Sequence, residues 1–318
     1  MATFDSTKTA LSKLLDQIVD GTIQLPDFQR GWVWDDSHIR SLLVSIARSF
    51  PIGSIMLLET GGSARFQMRL VEGIATLPAA GAPVEKLILD GQQRLTSLTQ
   101  VLKLNTPVET KDDKGRDVRR FYYLDIEKAL ADINSLEDAI IGVDETRTLR
   151  TNFGRDVVLD LDSEEKEFAS FCFPCAQIMK SDAWELGLHQ HAPDKFPRYM
   201  EFRERVLNAF REYLVPVIEL KKETSKEAVC LVFEKVNTEE YHYRFSSWQR
   251  RRMQPMASIS GTTGLADQER TSREGTRSLP RNRCFEISSR PSSFKAFLYF
   301  TRSKGVPPTW TPDEPART

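Results

Sequence analysis

Cysteine is scarce: four residues, Cys172, Cys175, Cys230 and Cys284, in a chain of 318. They are too few and too unevenly spread for a disulfide framework, which excludes a small stapled scaffold and reads them as reduced thiols. No apolar run approaches the roughly 20 residues that cross a bilayer. The opening Met1-Ala2-Thr3-Phe4-Asp5 has neither the basic end nor the apolar stretch of a secretory leader, so the expected location is the cytoplasm, with no membrane partner. Net charge is nearly absent, −1 from 44 Lys+Arg and 45 Asp+Glu, so the whole chain sets up no field that gathers a polyanion. Neither G-x-x-x-x-G-K-[ST] nor G-x-G-x-x-G occurs, which removes the P-loop and the dinucleotide fingerprint.

What the chain does have is the composition of a folded protein, 40% hydrophobic and 28% charged, over a length sufficient for one large domain or two ordinary ones. Hydrophobic spacing predicts a helix from Ser6 to Val19, with Leu11, Leu14, Leu15 and Ile18 on one face. It predicts a second from Asp36 to Phe50, with Asp35, Asp36 or Ser37 as N-cap. Between them Pro26 marks the entry to a loop that runs to Trp34. Ser54–Glu59 and Arg65–Val71 read as the strands of a hairpin, and Lys86-Leu87-Ile88-Leu89 as a buried strand ending at Asp90. A helix with the stripe Leu95, Leu98 and Leu102 follows at once. Asn105–Arg120 is polar enough to read as an exposed loop, and Phe121–Ile126 returns to strand. From 127 to 212 the pattern turns mostly helical, clearest at Arg198–Leu214, before a strand at Val215–Leu220 and a helix at Ser225–Val236.

The expected fold class is α+β: a small mixed sheet with flanking helices over residues 1–126, a mainly helical region over 127–238, and a tail over 239–318. The tail differs in kind. Residues 238–318 hold 12 Arg and 11 Ser but only six Ile, Leu or Val, too few to build a core, so disorder is expected there. Arg250-Arg251-Arg252 beside Trp248 reads as a solvated cluster. Cys172-Phe173-Pro174-Cys175 has the spacing of a redox pair or half a zinc site. A second C-x-x-C is missing and Phe171 and Phe173 flank the pair, which favours buried thiols.

Asp90-Gly91-Gln92-Gln93-Arg94 stands where a buried strand meets a helix. That junction sets the free N–H groups of the helix, and the positive end of its dipole, beside a loop, and it attracts an anion. Gly91 lets the backbone come close, Arg94 offers a planar fork of donors to phosphate oxygens, and Gln92 and Gln93 add amide donors. Asp90 repels a bare phosphate. Either a bound Mg²⁺ bridges the two, or Asp90 caps the helix, with Gln93 completing a capping box and Arg94 pairing with a surface acid. The local pattern leaves both open.

Two segments, Leu25-Pro26-Asp27-Phe28-Gln29-Arg30-Gly31-Trp32-Val33-Trp34 and Leu87-Ile88-Leu89-Asp90-Gly91-Gln92-Gln93-Arg94-Leu95-Thr96-Ser97-Leu98, are followed much later by Phe233-Glu234-Lys235-Val236-Asn237-Thr238. In order and spacing they resemble the signatures of the GmrS-like family, the N-terminal domain of GmrSD-type modification-dependent restriction endonucleases, related in fold to ParB and sulfiredoxin. The resemblance runs from about residue 8 to 238. It implies a ParB/sulfiredoxin-like core in which Asp90, Gly91, Gln92, Gln93 and Arg94 form a nucleotide-binding and hydrolysis motif, joined by Phe28, Gln29 and Arg30. With it come a nucleoside triphosphate with Mg²⁺ at Asp90, Asp90 and Arg94 as the catalytic residues, DNA carrying a modification, and a separate His-containing nuclease domain or protein. His38, His189, His191 and His242 show no nuclease arrangement, so the chain is not expected to cut DNA alone.

Trp32 and Trp34 are candidates to stack on a base, with burial in the core the leading expectation. Two other readings of the whole stay open: a non-hydrolytic ParB-like DNA-binding module that senses modified DNA, and an inactive truncated remnant. The last arises because the family pattern gives way after Thr238 to Glu239-Glu240-Tyr241-His242-Tyr243-Arg244. The break and the changed composition motivate the hypothesis that residues from about 239 onward are translated from a shifted reading frame.

Overall fold

The computed structural model describes residues 4–236, apart from 33, 63, 76–82, 132–135 and 153–154. All of these belong to a single unit of the chain, residues 1–256. The expectations for the tail, its disorder, its arginine cluster and its shifted frame, lie outside the described residues.

In chain order the strands are β1 (Phe4–Ala10), β2 (Ile23–Pro26), β3 (Ile55–Glu59), β4 (Met68–Arg69), β5 (Lys86–Asp90), β6 (Val108–Lys111), β7 (Asp117–Asp125), β8 (Ile140–Val143), β9 (Thr148–Thr151), β10 (Asp156–Asp160), β11 (Cys172–Pro174) and β12 (Leu214–Leu220). The helices are α1 (Leu11–Val19), α2 (Asp36–Ala47), α3 (Gln92–Lys103), α4 (Ile126–Ala131), α5 (Leu136–Ala139), α6 (Glu164–Ser170), α7 (Asp182–His191), α8 (Phe196–Phe202), α9 (Asn208–Arg211) and α10 (Lys226–Val236). A π-type turn at Arg203–Leu207 joins α8 to α9.

The fold is α+β around a six-stranded mixed sheet, ordered β1-β12-β3-β5-β2-β4. It is parallel at β12/β3 and β2/β5 and antiparallel at the other pairings. β12 lies inside this sheet, so the chain returns from its helical stretch to complete the sheet begun at the N-terminus. A second sheet gathers on β7, which pairs β6 with its first half and β8 and β11 with its second.

The apolar run of β5 follows from the sheet being covered on both faces. Ile88 joins the larger core with Leu95 and Leu98 of α3 and Leu11, Leu14, Leu15 and Ile18 of α1. Leu87 and Leu89 face a smaller cluster closed by Val229 and Phe233 of α10. Each such aliphatic contributes roughly 1.5–3 kcal/mol on full burial, which fixes the strand whose end carries Asp90.

Several elements differ from the periodicity reading. The helix expected from Ser6 begins only at Leu11, because residues 4–10 pair with β12 along their whole length, from Phe4↔Leu220 to Ala10↔Leu214. Ser54–Glu59 and Arg65–Val71 do not form a hairpin: β3 pairs β12 and β5, and only Met68–Arg69 is strand, paired to β2. The expected loop 105–120 contains β6 and the start of β7, an alternating stretch in which Val108 and Thr110 are buried and Glu109 and Lys111 exposed. Asp112 closes its turn by accepting from the N–H groups of Lys114 and Arg116. The stretch expected to be mainly helical also carries β8 to β11, and its long helix ends at Arg211, leaving Leu214 to open β12. Asp35 is the N-cap of α2, accepting from His38 N–H at 3.0 Å.

Candidate functional site

The loop after β2 and the turn after β5 are built as each other's hydrogen-bond partners. Gln29 is buried, and its Nε2 donates to the carbonyls of Ile88 (2.7 Å) and Leu89 (3.1 Å) on β5. In the other direction Gln92 Nε2 donates to Arg30 O at 2.6 Å and Gln93 Nε2 to Gly31 O at 3.2 Å. The three glutamines thus spend amide donors on backbone carbonyls of the opposite motif. Their geometry makes them fasteners between the two segments.

Residues with no signal in the sequence complete the clamp. Arg69 of β4 donates to Arg30 O (3.0 Å) and to Glu72 Oε1 (2.7 Å), and Glu72 Oε1 also accepts from Trp32 N–H at 3.2 Å. The Trp32 indole N–H donates to Ser97 Oγ on α3 at 2.9 Å. Phe28 packs behind the loop against Phe66 (5.3 Å between ring centroids) and edge-on against Phe233 of α10 (5.0 Å), which brings in the third sequence segment. Trp32 and Trp34 are half-buried against the core.

Gly91 is the N-cap of α3, with φ 87° and no side-chain cap bond. Only glycine adopts that conformation at little cost, and a Cβ there would collide with Ile55 Cδ1. Asp90 is therefore not the cap. Its carboxylate pairs with Arg94 one turn along (3.1 Å), whose Nη1 also donates to Ile52 O at 2.7 Å. Gly53 (φ 89°) makes room for that guanidinium, since a Cβ at Gly53 would strike Arg94 Nη1.

These parts enclose a pocket of about 240 Å³. Its wall takes Gln29 and Arg30 from the first segment, Asp90 to Arg94 from the second and Phe233 from the third, with Trp34 at one side. Of the expected site residues, the pocket brings together Gln29, Arg30, Asp90, Gly91, Gln92, Gln93 and Arg94, while Phe28 supports it from behind. The N–H groups of the first turn of α3 have no intrahelical partners, and among the described residues two arginines against one aspartate leave the wall at +1.

Among the described residues no group of three or more His, Cys, Asp or Glu is placed to hold a metal. Among the described residues Asp90 is the one carboxylate on the pocket wall. That donor set fits a Mg²⁺ arriving with a polyphosphate, which needs only one or two protein carboxylates beside the phosphate oxygens. Cys172 and Cys175 are buried, and burial pushes the Cys172 thiol up to about 12 and raises Cys175 further, so neither is a ready thiolate. His189 and His191 on α7 pack on Phe196 and Phe168. No helix among the described residues is long and apolar enough to cross a membrane.

The family model described as GmrSD restriction endonuclease, N-terminal domain, matches residues 11–242. An uncharacterized protein of Methanocaldococcus jannaschii is 27% identical over 243 residues, 73% of this chain and 39% of that protein. The chain thus spans well under half the length of this relative.

Proposed function

The chain belongs to the GmrSD restriction endonuclease N-terminal domain family, and on that premise we propose that it binds and hydrolyses a nucleoside triphosphate as the regulatory part of a modification-dependent DNA restriction system. The observation that carries this reading is the convergence of three segments, distant in sequence, on one small cationic pocket at the N-terminus of α3. Phosphate oxygens there meet first-turn N–H groups, the positive end of the helix dipole, and the guanidinium groups of Arg30 and Arg94.

The Asp90–Arg94 pair gives binding a chemical consequence. A phosphate competes for the Arg94 fork and so frees one oxygen of the Asp90 carboxylate to accept a hydrogen bond from, and thereby orient, an attacking water whose proton passes to a phosphate oxygen. The water oxygen bonds to the terminal phosphorus, the bond from phosphorus to the bridging oxygen breaks, and Arg94 stabilises the charge that develops on the phosphates. A Mg²⁺ accompanying the triphosphate would be held by Asp90 and would neutralise phosphate charge. Modified DNA is the signal in this reading, and cleavage falls to a separate His-containing nuclease domain or protein.

The same ion pair supports a second reading, a DNA-binding module without hydrolysis, because Asp90 already has a partner within the protein. Phosphate release by the full chain, across the four nucleoside triphosphates and with and without Mg²⁺, separates the two. Release from the wild type is expected to need Mg²⁺ and to fall about 100-fold in Asp90→Ala and in Arg94→Ala. A folded wild type with no metal-dependent release selects the binding module.

A further inference from the structure

A second and larger cavity, about 740 Å³, shares Trp34 with the first. Trp32 and Trp34 wall it on one side, and the β6–β7 hairpin with the Asp144–Glu145 turn on the other. Thr110 Oγ1 donates to Trp34 O at 2.9 Å, which fixes the hairpin to the tryptophan loop. Trp34 is thus a common wall of this cavity and the smaller pocket at Asp90.

The two differ in sign and size. Among its described residues the larger cavity carries four carboxylates, Glu109, Asp117, Asp144 and Glu145, against Lys111 and Arg119, leaving −2. Lys111 pairs with Asp117 (2.6 Å) and Arg119 with Glu109 (2.7 Å) and Glu145 (3.3 Å), and Asp144 accepts from Thr146 and Thr148 with Arg150 at 3.8 Å, yet each carboxylate keeps lone pairs beyond those bonds. Such a wall repels phosphate and accepts hydrogen bonds from hydroxyl and amino groups. The smaller pocket, at +1, suits phosphate but falls below the roughly 300–1,000 Å³ of sites that hold a whole drug-sized ligand. A nucleoside triphosphate has one end of each kind.

We propose that the larger cavity is the nucleoside half of a divided site, in which the base lies on the indole of Trp34 and the sugar and base donors face the hairpin carboxylates, while the phosphates occupy the pocket at Asp90. The inference rests on the nucleotide reading above and adds the placement and polarity of the ligand. Stacking on one aromatic side chain is worth roughly a 5- to 150-fold gain in affinity. The cavity therefore discriminates nucleoside triphosphate from inorganic tripolyphosphate, which lacks the part that enters it.

Titration calorimetry of the full chain with ATP, GTP and sodium tripolyphosphate tests this. The wild type is expected to bind at least one of the nucleotides about tenfold or more tighter than tripolyphosphate. Val118→Trp, which fills the cavity from β7 and lies outside the smaller pocket, is expected to erase that preference while tripolyphosphate binding stays; Trp34→Ala, which alters a wall of both, is expected to erase the preference as well. Equal affinities in the wild type, or a preference that survives both substitutions, overturn the inference and leave the anion site standing. A Val118→Trp chain that loses binding of a short DNA duplex but keeps its nucleotide preference overturns it as well, by giving the cavity to a DNA base. A wild type that binds neither nucleotide nor tripolyphosphate brings down the underlying reading instead.

Discussion

Around Trp184, buried polarity is enclosed and paired. Glu167 lies among the rings of Phe168, Phe173, Trp184 and Tyr199, yet Trp184 N–H donates to one of its oxygens at 2.9 Å and Tyr123 O–H to the other at 3.0 Å, with Arg147 at 3.6 Å. Around Arg94 the pairing is incomplete: Gln29 Oε1, Glu72 Oε2, Thr96 Oγ1 and Gln100 Oε1 are buried without a hydrogen-bond partner. The Tyr199 hydroxyl is the counterexample in the aromatic region. An unpaired buried polar atom costs about 1–3 kcal/mol. One region therefore pairs most of the polar groups it buries, whereas the other leaves four of them unpaired while it keeps three motif segments at a single pocket.

The largest effect expected from that contrast is on stability alone. Trp184→Ala removes a fully buried indole and leaves a Glu167 oxygen without its donor, and it should lower unfolding free energy by about 3–5 kcal/mol. Denaturant unfolding measures this, and phosphate release per folded molecule should stay at the wild-type level. A lost activity in the folded fraction would break the contrast, by tying the aromatic region to the site. Arg94→Ala is the converse: about 100-fold less phosphate release, with only about 1 kcal/mol of stability lost from its bonds to Ile52 and Asp90.

A smaller effect falls on the fasteners. Gln92→Ala deletes the bond to Arg30 O and should cost about 0.5–1.5 kcal/mol. Hydrogen exchange should quicken at the amides of residues 27–34 and remain unchanged in α7. Equal protection in the loop would mean that the bonds of Gln29, Gln93, Arg69 and Glu72 hold it without Gln92.

The strand at 86–90, the helix after it and the Asp-Gly turn were all legible in the sequence, because local patterns state a buried run, a helical stripe and a glycine at the junction. The gathering of the site was legible only through the family resemblance, since nothing in residues 28–30 or 233 announces that they meet Asp90. What was illegible is mostly non-local. Residues 4–10 are strand because β12 lies beside them, a pairing more than 200 residues away in sequence. The donors of Gln29, Gln92 and Gln93 were assigned by type to a ligand, and the fold spends them on carbonyls that no spacing rule could locate. Arg69 and Glu72 were invisible because, beyond their pair with each other, their partners are backbone atoms of the other loop.

The least expected loss, and the sharpest probe of the aromatic region, is a pH dependence at Glu167. Burial raises its carboxyl above the ordinary value of 4.5, and the bonds from Trp184 and Tyr123 and the charge of Arg147 offset only part of that. The folded protein therefore binds this proton more tightly than the unfolded chain. The contribution to stability is full below pH 4.5 and is lost as pH rises through the higher folded value. Glu167→Gln keeps the volume and can still accept from Trp184 N–H while donating to the Tyr123 hydroxyl, but it cannot ionise. Relative to wild type, the variant should gain stability between pH 4.5 and neutrality and then run parallel to it, as read from denaturant unfolding at a series of pH values. Curves that stay parallel across the whole range would show that Glu167 does not change its protonation there, and that satisfied hydrogen bonds alone set the energetics of this core.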